Sequence, residues 1–453
     1  MENGLRRVLI ISYNYPPGGT YGSVRAMKLA KYLPSRGWQP TVLTVSRDRT
    51  RLGSWSVSDG ILPGVKVVRA PFPDILTSVK DLLSGLGLLR KSGPGTESRP
   101  DLSAGKARSL KSFLEPVFWW AKRWASFPDR YALWFPFAFL RGLLELRSGD
   151  YDAILSTSPP FMDHLVASAL QRVSGLPWVA DCRDPWSQNP YQEFTPLELR
   201  AATRLEKKAL SPAGAIITVS EPLADLMKEL HGGRPGGVLT ITNGFDPDDY
   251  PGRQKLKKGA FLITHTGMFY GKKRDPVVIL ETVEELIDEG AISREDVRLR
   301  FYGPEGSELP RIKESLKYRE IIEIGGFVPH SESIAHQRES TVLLTPLWEH
   351  PYSAMGYGGK VFEYMGSRRP ILAWNPAGGV LVDLLRETGA GVSVAERSEL
   401  KKVLSMWFDQ FRETGTVKYE GSVERINRYG WGELASRMAA ALAGVADTDR
   451  PVR

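Results

Sequence analysis

Short apolar segments alternate with helical segments along most of this chain, in two successive series. In the first series we predict strands at 8–13, 40–45, 65–69, 153–157, 178–181, 215–219 and 239–242. In the second series we predict strands at 261–266, 297–302, 321–324, 342–346, 371–374 and 391–394. Strands that are connected through helices pair in parallel, because each crossover returns the chain to the same end of the sheet. The sequence therefore predicts an α/β fold with two facing Rossmann-like domains and a central cleft.

The composition changes between the two series. Proline, glycine and lysine are frequent from 247 to 258, which is typical of a linker. We therefore predict an N-terminal domain at 1–245, a C-terminal domain at 259–415, and a final helix and tail at 416–453. Within the first domain, a basic and aromatic helical insert is predicted at about 76–150.

Composition excludes several classes of protein. A hydrophobic content of 42% and a charged content of 25% are those of a soluble globular protein. No apolar run reaches the roughly 18 residues that a membrane-spanning helix needs. The single cysteine, Cys182, excludes an internal disulfide and a cysteine-based metal site, and it fits a reducing compartment. The cytoplasm is therefore the expected location.

The net charge of +8 is distributed unevenly, with an excess of Lys and Arg in the predicted insert. Nucleic acid, an anionic membrane surface and a phosphorylated substrate are the candidate partners for such a region. Nucleic acid is the least favoured, because the sequence has neither zinc-finger spacing nor a basic helix with base-reading side chains.

The most informative motif is Gly359-Lys-Val-Phe-Glu-Tyr-Met-Gly-Ser-Arg-Arg-Pro370, which predicts a short helix. Lys360 and Glu363 share one face of this helix, and its N-terminus offers N–H groups to a phosphate. A carboxylate in the cleft can accept hydrogen bonds from a pair of hydroxyls, so the motif suits a nucleotide. An amphipathic helix with an ordinary Lys–Glu ion pair is the alternative interpretation.

This motif resembles the donor-binding signature of the family 4 (group 1) glycosyltransferases, which are retaining enzymes of the GT-B fold. The resemblance implies that Glu363 holds the ribose hydroxyls of a sugar nucleotide from an exposed position in the cleft. Members of the family usually carry a second Glu that contacts the transferred sugar, and Met355 occupies that position here. The resemblance also implies that the final helix, predicted at 432–443, packs back on the first domain.

A second motif, Asp181-Cys-Arg-Asp-Pro-Trp186, matches a sequence found in members of the family that act in surface-polysaccharide synthesis. The match implies that Asp181, Arg183 and Asp184 line the acceptor side. A structural clamp between Arg183 and either carboxylate is the alternative. His164 lies about one turn into a predicted helix, where the family often has a His that faces the transferred sugar; a structural histidine is the alternative there.

The resemblance also implies two loops that contact the donor phosphates. One follows the first strand and the other follows the strand at 261–266; their candidate residues are Gly18, Gly19, Gly267, Lys272, Lys273 and Arg274. Glycines without a Cβ allow N–H groups to approach a phosphate. A tight turn and a solvated basic turn are the alternative interpretations. Many members have an Arg where this chain has Met268.

No metal site is predicted. The Asp-x-Asp sequences beginning at Asp246 and Asp447 lie in the linker turn and in a polar tail, and neither follows a strand. GT-B enzymes generally stabilise the diphosphate with basic groups and helix dipoles, so we expect no metal requirement and no cofactor.

Together these features predict a cytoplasmic hexosyltransferase that moves a sugar from a nucleoside-diphosphate sugar to a saccharide or lipid-linked acceptor with retention. Polysaccharide or glycolipid biosynthesis is the expected pathway, and the inner face of the membrane is a candidate surface for peripheral attachment. Two alternatives stay open. One is a sugar-nucleotide 2-epimerase on the same fold, and the other is a non-catalytic sugar-nucleotide-binding partner of a transferase.

The membrane hypothesis makes a prediction about Trp119, which lies beside Lys122 and Arg123 in the insert. If these residues form an interfacial patch, the protein sediments with anionic vesicles more than with neutral ones, and salt weakens the binding. The charge reversals Lys122→Glu and Arg123→Glu are expected to lower activity on a lipid-linked acceptor and to spare a short soluble analogue. Packing of this segment inside the domain is the alternative, and it predicts that Trp119 fluorescence is insensitive to vesicles and that the charge reversals lower the melting temperature. No vesicle binding at low salt would contradict the membrane hypothesis.

Overall fold

The computed structural model describes residues 5–17, 22–46, 62–72, 127–192, 194–252, 259–269, 271–303 and 308–448. Several predicted residues fall outside these ranges: Gly18, Gly19, Trp119, Lys122 and Arg123. The side chain of Lys272 is also outside the described part of the chain.

The N-terminal half forms a seven-stranded sheet in which all strands are parallel. Its strands are β1 (Arg6–Ile11), β2 (Trp38–Val45), β3 (Lys66–Ala70), β4 (Ala153–Ser158), β5 (Trp178–Cys182), β6 (Ala215–Thr218) and β7 (Val238–Thr240). Its described helices are α1 (Ser23–Tyr32), α2 (Phe135–Ser148), α3 (Met162–Ser174), α4 (Pro196–Leu210) and α5 (Glu221–His231). The strand order is β3-β2-β1-β4-β5-β6-β7, so the winding direction reverses between β1 and β4.

The C-terminal half repeats this arrangement with a six-stranded parallel sheet. Its strands are β8 (Phe261–Thr266), β9 (Val297–Tyr302), β10 (Ile322–Gly326), β11 (Val342–Pro346), β12 (Ile371–Trp374) and β13 (Gly391–Val394). The order β10-β9-β8-β11-β12-β13 reverses between β8 and β11. Ligands of open α/β sheets bind outside the carboxyl ends of the strands at such reversals.

Helices connect the strands of the second sheet and follow its last strand. They are α6 (Val277–Asp288), α7 (Leu309–Ser315), α8 (His330–Glu339), α9 (Pro351–Ala354), α10 (Lys360–Ser367), α11 (Val380–Thr388), α12 (Arg397–Thr414), α13 (Val423–Asn427) and α14 (Trp431–Thr448). Short 3₁₀ turns occur at Pro34–Arg36, Ala132–Trp134, Pro247–Asp249, Gly271–Arg274 and Arg319–Ile321.

Each strand predicted from the sequence is present, and its ends differ from the prediction by at most two residues. The apolar runs were informative because both faces of a parallel sheet are covered by helices, so that its strands are continuously hydrophobic. The α/β fold with two Rossmann-like sheets is thereby confirmed.

The last helix, α14, packs on the first sheet. Trp431, Leu434, Met438 and Leu442 are buried in one cluster with side chains of β1, β2, β4 and α1. Full burial of a side chain of this size stabilises the folded state by about 1.5–3 kcal/mol. The helix comes very close to the strand layer, since a Cβ at Gly214 would lie 2.2 Å from Cγ1 of Val445.

The chain crosses between the two halves at two places, and these places are hydrogen-bonded to each other. The N–H of Phe245 donates to the carbonyl of Tyr429 (3.1 Å), and the N–H of Trp431 donates to the carbonyl of Phe245 (2.9 Å). Phe245 and Gly430 form an isolated parallel bridge. The outward and the returning segments therefore run side by side.

Helix α1 holds the start of the linker through Asp246. Its buried carboxylate accepts hydrogen bonds from Nζ of Lys28 (2.6 Å), Nζ of Lys31 (2.7 Å) and the hydroxyl of Tyr32 (2.5 Å). Burial alone would raise the pKa of Asp246, but the lysines and the tyrosine hydroxyl lower it to about 2. The carboxylate therefore stays ionised and fixes this end of the linker.

A fully buried ion pair joins α1 to β5. Arg25 binds Asp181 through two parallel hydrogen bonds of 2.7 and 2.8 Å. The same guanidinium donates to the carbonyls of Thr242 (2.7 Å) and Ile241 (3.0 Å), and it lies over the ring of Trp431. One side chain thus connects α1, β5, the segment leading to the linker, and α14.

We predict that Arg25→Leu costs about 3–5 kcal/mol of unfolding free energy, because it leaves the Asp181 carboxylate buried without its cation. Urea unfolding followed by tryptophan fluorescence measures the change. The double variant Arg25→Leu/Asp181→Leu is expected to be more stable than the single variant, since it removes both charges.

Arg6→Leu is the matched control, because Arg6 pairs with Asp447 at the surface. This substitution is expected to cost no more than about 1 kcal/mol. Equal unfolding midpoints for the Arg25 and Arg6 variants would contradict the role assigned to the buried pair.

Candidate functional site

A cavity of about 540 Å³ lies between the two sheets, at the carboxyl ends of strands next to both reversal points. Its wall from the N-terminal half includes Asn14, Asp129, Arg130, Tyr131, Pro159, Pro160, Phe161, Arg183, Asp184 and Gln192. Its wall from the C-terminal half includes His265, Gly267, Met268, Arg274, Thr345, Gly358, Gly359 and Lys360. The cavity is therefore where the topology of both sheets predicts a ligand.

The N-terminus of α10 forms part of the cavity wall. Gly358 has φ of +69°, a conformation that favours glycine, and Gly359 precedes the helix without a capping side chain. The first turn of a helix presents N–H groups and the positive end of the helix dipole. Together with Lys360, this turn makes the wall suitable for an anionic group.

Glu363 lies one turn further along α10 and is buried. Its carboxylate accepts hydrogen bonds from Nζ of Lys360 (2.8 Å) and Nε2 of Gln337 (3.3 Å), and Nε2 of His330 lies 3.5 Å away. Burial alone would raise the pKa of Glu363, but Lys360 and His330 hold it well below its usual range. Only 5% of the residue is exposed, so the expectation of an exposed cleft residue is corrected.

Arg183 and Asp184 both line the cavity, and the structure brings Asp184 close enough to Arg274 from the other half for their charges to interact. Arg183 donates to the carbonyls of Ser158 (2.7 Å) and Pro159 (3.3 Å), which fixes the loop after β4. Burial raises the pKa of Asp184, while the charges of Arg183 and Arg274 oppose that effect. The two residues predicted to face an acceptor are thus at the cavity, and their roles stay predictions.

Asp181 is not at the cavity, although the motif placed it beside Arg183 and Asp184. It is the last but one residue of β5, and its side chain points to Arg25 on α1. Its placement is therefore corrected: Asp181 is a fully buried partner of a structural arginine.

His164 is also buried away from the cavity. Its Nδ1 lies 2.8 Å from Oγ of Ser156, and its Nε2 lies 3.3 Å from Sγ of Cys182. The indole N–H of Trp178 donates to the same Ser156 oxygen at 2.8 Å. Burial lowers the pKa of His164 to about 4, so the ring is neutral at neutral pH. The geometry therefore favours the structural interpretation and corrects the expected position facing the sugar.

The residues of the basic turn after β8 lie in two different places, the cavity wall and a contact between the two halves. Gly267 and Arg274 line the cavity. Nζ of Lys273 instead lies over two aromatic rings, 4.9 Å from the centre of Tyr191 and 4.7 Å from that of Trp348. Lys273 therefore forms a contact between the two halves. The prediction that it lies at the diphosphate is corrected.

Met355, at the position of the missing family Glu, also contacts the N-terminal half. The hydroxyl of Ser220 donates to its carbonyl at 2.5 Å. This contact uses the main chain of Met355, so the structure assigns no function to its side chain.

Several cavity residues were missed by the sequence interpretation, among them Asp129 and His265. Asp129 accepts hydrogen bonds from the N–H groups of Tyr131 (2.9 Å) and Met162 (3.0 Å), and it thereby joins the start of α3 to the cavity wall. His265 is the last but one residue of an apolar strand, two residues before Gly267. A polar residue near the carboxyl end of a strand beside the reversal point was the signal for His265, whereas no strand predicted from the sequence ends near Asp129.

Within the described ranges, no group of three or more His, Cys, Asp and Glu side chains is arranged to hold a metal ion. Every helix of those ranges is also too short or too polar to cross a membrane.

Two family models match the chain. A glycosyl transferase 4-like domain matches residues 22–244, and a domain of the glycosyl transferases group 1 matches residues 260–406. No curated protein matches the chain.

Several solved structures share the fold. Sucrose-phosphate synthase from Thermosynechococcus elongatus is 12% identical with a TM-score of 0.63, and the match covers 98% of this chain and 100% of that chain. HepE from Anabaena is 13% identical with a TM-score of 0.60, over 97% and 100% of the two chains. A glycosyltransferase from Rickettsia africae is 12% identical with a TM-score of 0.58, over 97% and 98%.

These neighbours establish the GT-B fold, and the two family models together span most of the chain in the order that this fold requires. The chain therefore belongs to the group 1 glycosyltransferases, and it is a glycosyltransferase.

Proposed function

We propose that this enzyme transfers a hexose from a nucleoside-diphosphate sugar to a saccharide or lipid-linked acceptor, with retention of anomeric configuration, in polysaccharide or glycolipid assembly. One observation carries the proposal. A single cavity combines the N-terminus of α10, Lys360 and Arg274 on one wall with Arg183 and Asp184 on the other.

The C-terminal wall is the donor side. The first turn of α10, Lys360 and Arg274 offer positive charge to a diphosphate. Glu363 is kept ionised by its contact with Lys360. Its carboxylate accepts hydrogen bonds from the ribose hydroxyls once the nucleotide is bound. Structures of HepE in complex with UDP and with UDP-glucose support this choice of ligand class.

The N-terminal wall is the acceptor side. Arg183 and Asp184 face the donor groups across the cavity and contact the incoming saccharide. His164 and Asp181 act indirectly, because their buried hydrogen bonds hold β4, β5 and α1 in place beneath this wall.

The chemistry is displacement at the anomeric carbon through an oxocarbenium-like state. As the bond to the donor breaks, negative charge develops on the leaving diphosphate, and the helix terminus and the two cations stabilise it. Family membership supports retention, with attack on the face that the diphosphate leaves. The diphosphate receives the acceptor proton. We expect this stabilisation to operate without a metal ion, in the cytoplasm or at the inner face of the membrane.

The direct test begins with thermal shifts against uridine, guanosine, adenosine and thymidine diphosphates. A ligand that binds only the folded state raises the melting temperature. Sugar nucleotides of the best base are then incubated with the enzyme and candidate acceptors, and NMR identifies the products.

A glycoside with the donor's anomeric configuration is the expected product. Inversion at the anomeric carbon would contradict the proposed mechanism. Turnover of the donor to its 2-epimer without acceptor would instead identify the epimerase, and binding without any turnover would identify a non-catalytic partner.

We predict that Glu363→Ala weakens nucleotide binding by about 1.5–3 kcal/mol, the range for hydrogen bonds to a charged group. Calorimetry with the diphosphate found above measures the change. Glu285→Gln is the control, because Glu285 forms exposed ion pairs with Arg397 and Lys401. Unchanged affinity in the Glu363 variant would contradict the ribose assignment.

The same variant has a predicted pH dependence. Folding lowers the pKa of Glu363 from its ordinary value of 4.5, so the ionised carboxylate stabilises the fold above that pH. This contribution is lost as the pH falls below 4.5 towards the lower folded value. The wild type is therefore expected to exceed Glu363→Ala in melting temperature near pH 6, and the difference is expected to shrink towards pH 3.

A further inference from the structure

His265 lines the donor side of the cavity although it is almost completely buried. It is the last but one residue of β8, and its ring stacks on Phe269 with 4.7 Å between ring centres. The side chain is 96% buried, since only 4% of the residue is exposed, yet His265 lines the cavity. His265 is therefore a polar residue of the core that also forms part of the cavity wall.

The hydrogen bond at Nδ1 fixes the tautomer of this ring. Nδ1 lies 2.9 Å from the carbonyl oxygen of Leu344. A carbonyl oxygen only accepts, so Nδ1 carries the proton and Nε2 presents a lone pair. Among the described residues, Nε2 has no hydrogen-bond partner.

Gly267 leaves the space beside this buried lone pair free of a side chain. A Cβ at Gly267 would lie 3.3 Å from Nε2 of His265 and 3.8 Å from Cγ of Lys360. A larger residue at 267 would therefore stand between the ring and the donor side of the cavity.

The ring is neutral under working conditions. Burial lowers the pKa of His265 to about 4; the bond to Leu344 opposes this, and Arg274 and Lys360 add to the lowering. A neutral Nε2 acceptor pairs with a hydroxyl or an N–H group. It does not pair with an ionised phosphate oxygen, which has no proton to donate.

We propose that Nε2 of His265 accepts a hydrogen bond from a hydroxyl of the bound sugar nucleotide, which makes His265 a specificity-determining residue of the donor site. This inference rests on the proposed function. The hydroxyl belongs either to the ribose or to the transferred sugar. A buried acceptor that is left unpaired is costly, so the site discriminates against donors that lack this hydroxyl.

The variant His265→Asn tests the proposal, because the shorter amide retains a donor for the Leu344 carbonyl and removes the acceptor at Nε2. Calorimetry with uridine, guanosine and adenosine diphosphates and their glucose conjugates gives the dissociation constants. We expect the variant to weaken binding about 3- to 10-fold for ligands that carry the hydroxyl.

The ligands distinguish the two sources of the hydroxyl. A transferred-sugar hydroxyl predicts weaker binding of the glucose conjugate and unchanged binding of the free diphosphate. A ribose hydroxyl predicts equal losses for both, and it predicts that the 2′-deoxy or the 3′-deoxy diphosphate binds equally well to variant and wild type. His231→Asn is the control, because His231 is buried against Glu206 in the other half, outside the cavity.

Proton linkage provides a second measurement. Binding heats in buffers of different ionisation enthalpy are expected to give the same net proton uptake for wild type and His265→Asn between pH 6 and 8. Uptake of an additional proton by the wild type would overturn the proposal, because it would identify an imidazolium at His265 that donates to phosphate. Identical affinities of His265→Asn and wild type for every ligand would also overturn it. If the wild type binds no nucleotide at all, the proposed function fails and this inference fails with it.

Discussion

The buried pair of Arg25 and Asp181 is the interaction on which the rest of the N-terminal half depends. Two charges without access to water are tolerated only when each is fully paired, and here the guanidinium makes two bonds to the carboxylate and two to main-chain carbonyls. The carbonyls belong to the segment that leads into the linker. One charged side chain therefore sets the position of α1 against β5 and also the place where the chain leaves the first sheet.

The sequence contains most of the information about the fold, because parallel strands that are covered on both faces appear as separate apolar runs. Side-chain positions were harder to predict. The motif from Asp181 to Asp184 looks like one cluster, yet Asp181 pairs with Arg25 on α1 while Asp184 lines the cavity. Asp181 turns inward because its partner, Arg25, is far away in the sequence. Periodicity along a strand cannot reveal a partner of that kind.

Glu363 and Lys273 illustrate the same limit. The spacing of Lys360 and Glu363 correctly indicated a contact between them. Burial of the carboxylate depends also on Gln337 and His330 from α8. Lys273 follows its glycine loop as the family resemblance implied, but the rings of Tyr191 and Trp348 attract its ammonium group. Local sequence showed which residues carry charge, whereas long-range packing decided which of them reach the cavity.

The bridge between Phe245 and Gly430 determines how the two halves can move. Two separate connections would permit shearing and twisting in several directions. Here the connections are hydrogen-bonded to each other, and Asp246 is anchored on α1 immediately beside them. Relative motion that preserves these bonds is a hinge rotation of one half about this point. Because the cavity has one wall from each half, such a rotation changes the separation of its two walls.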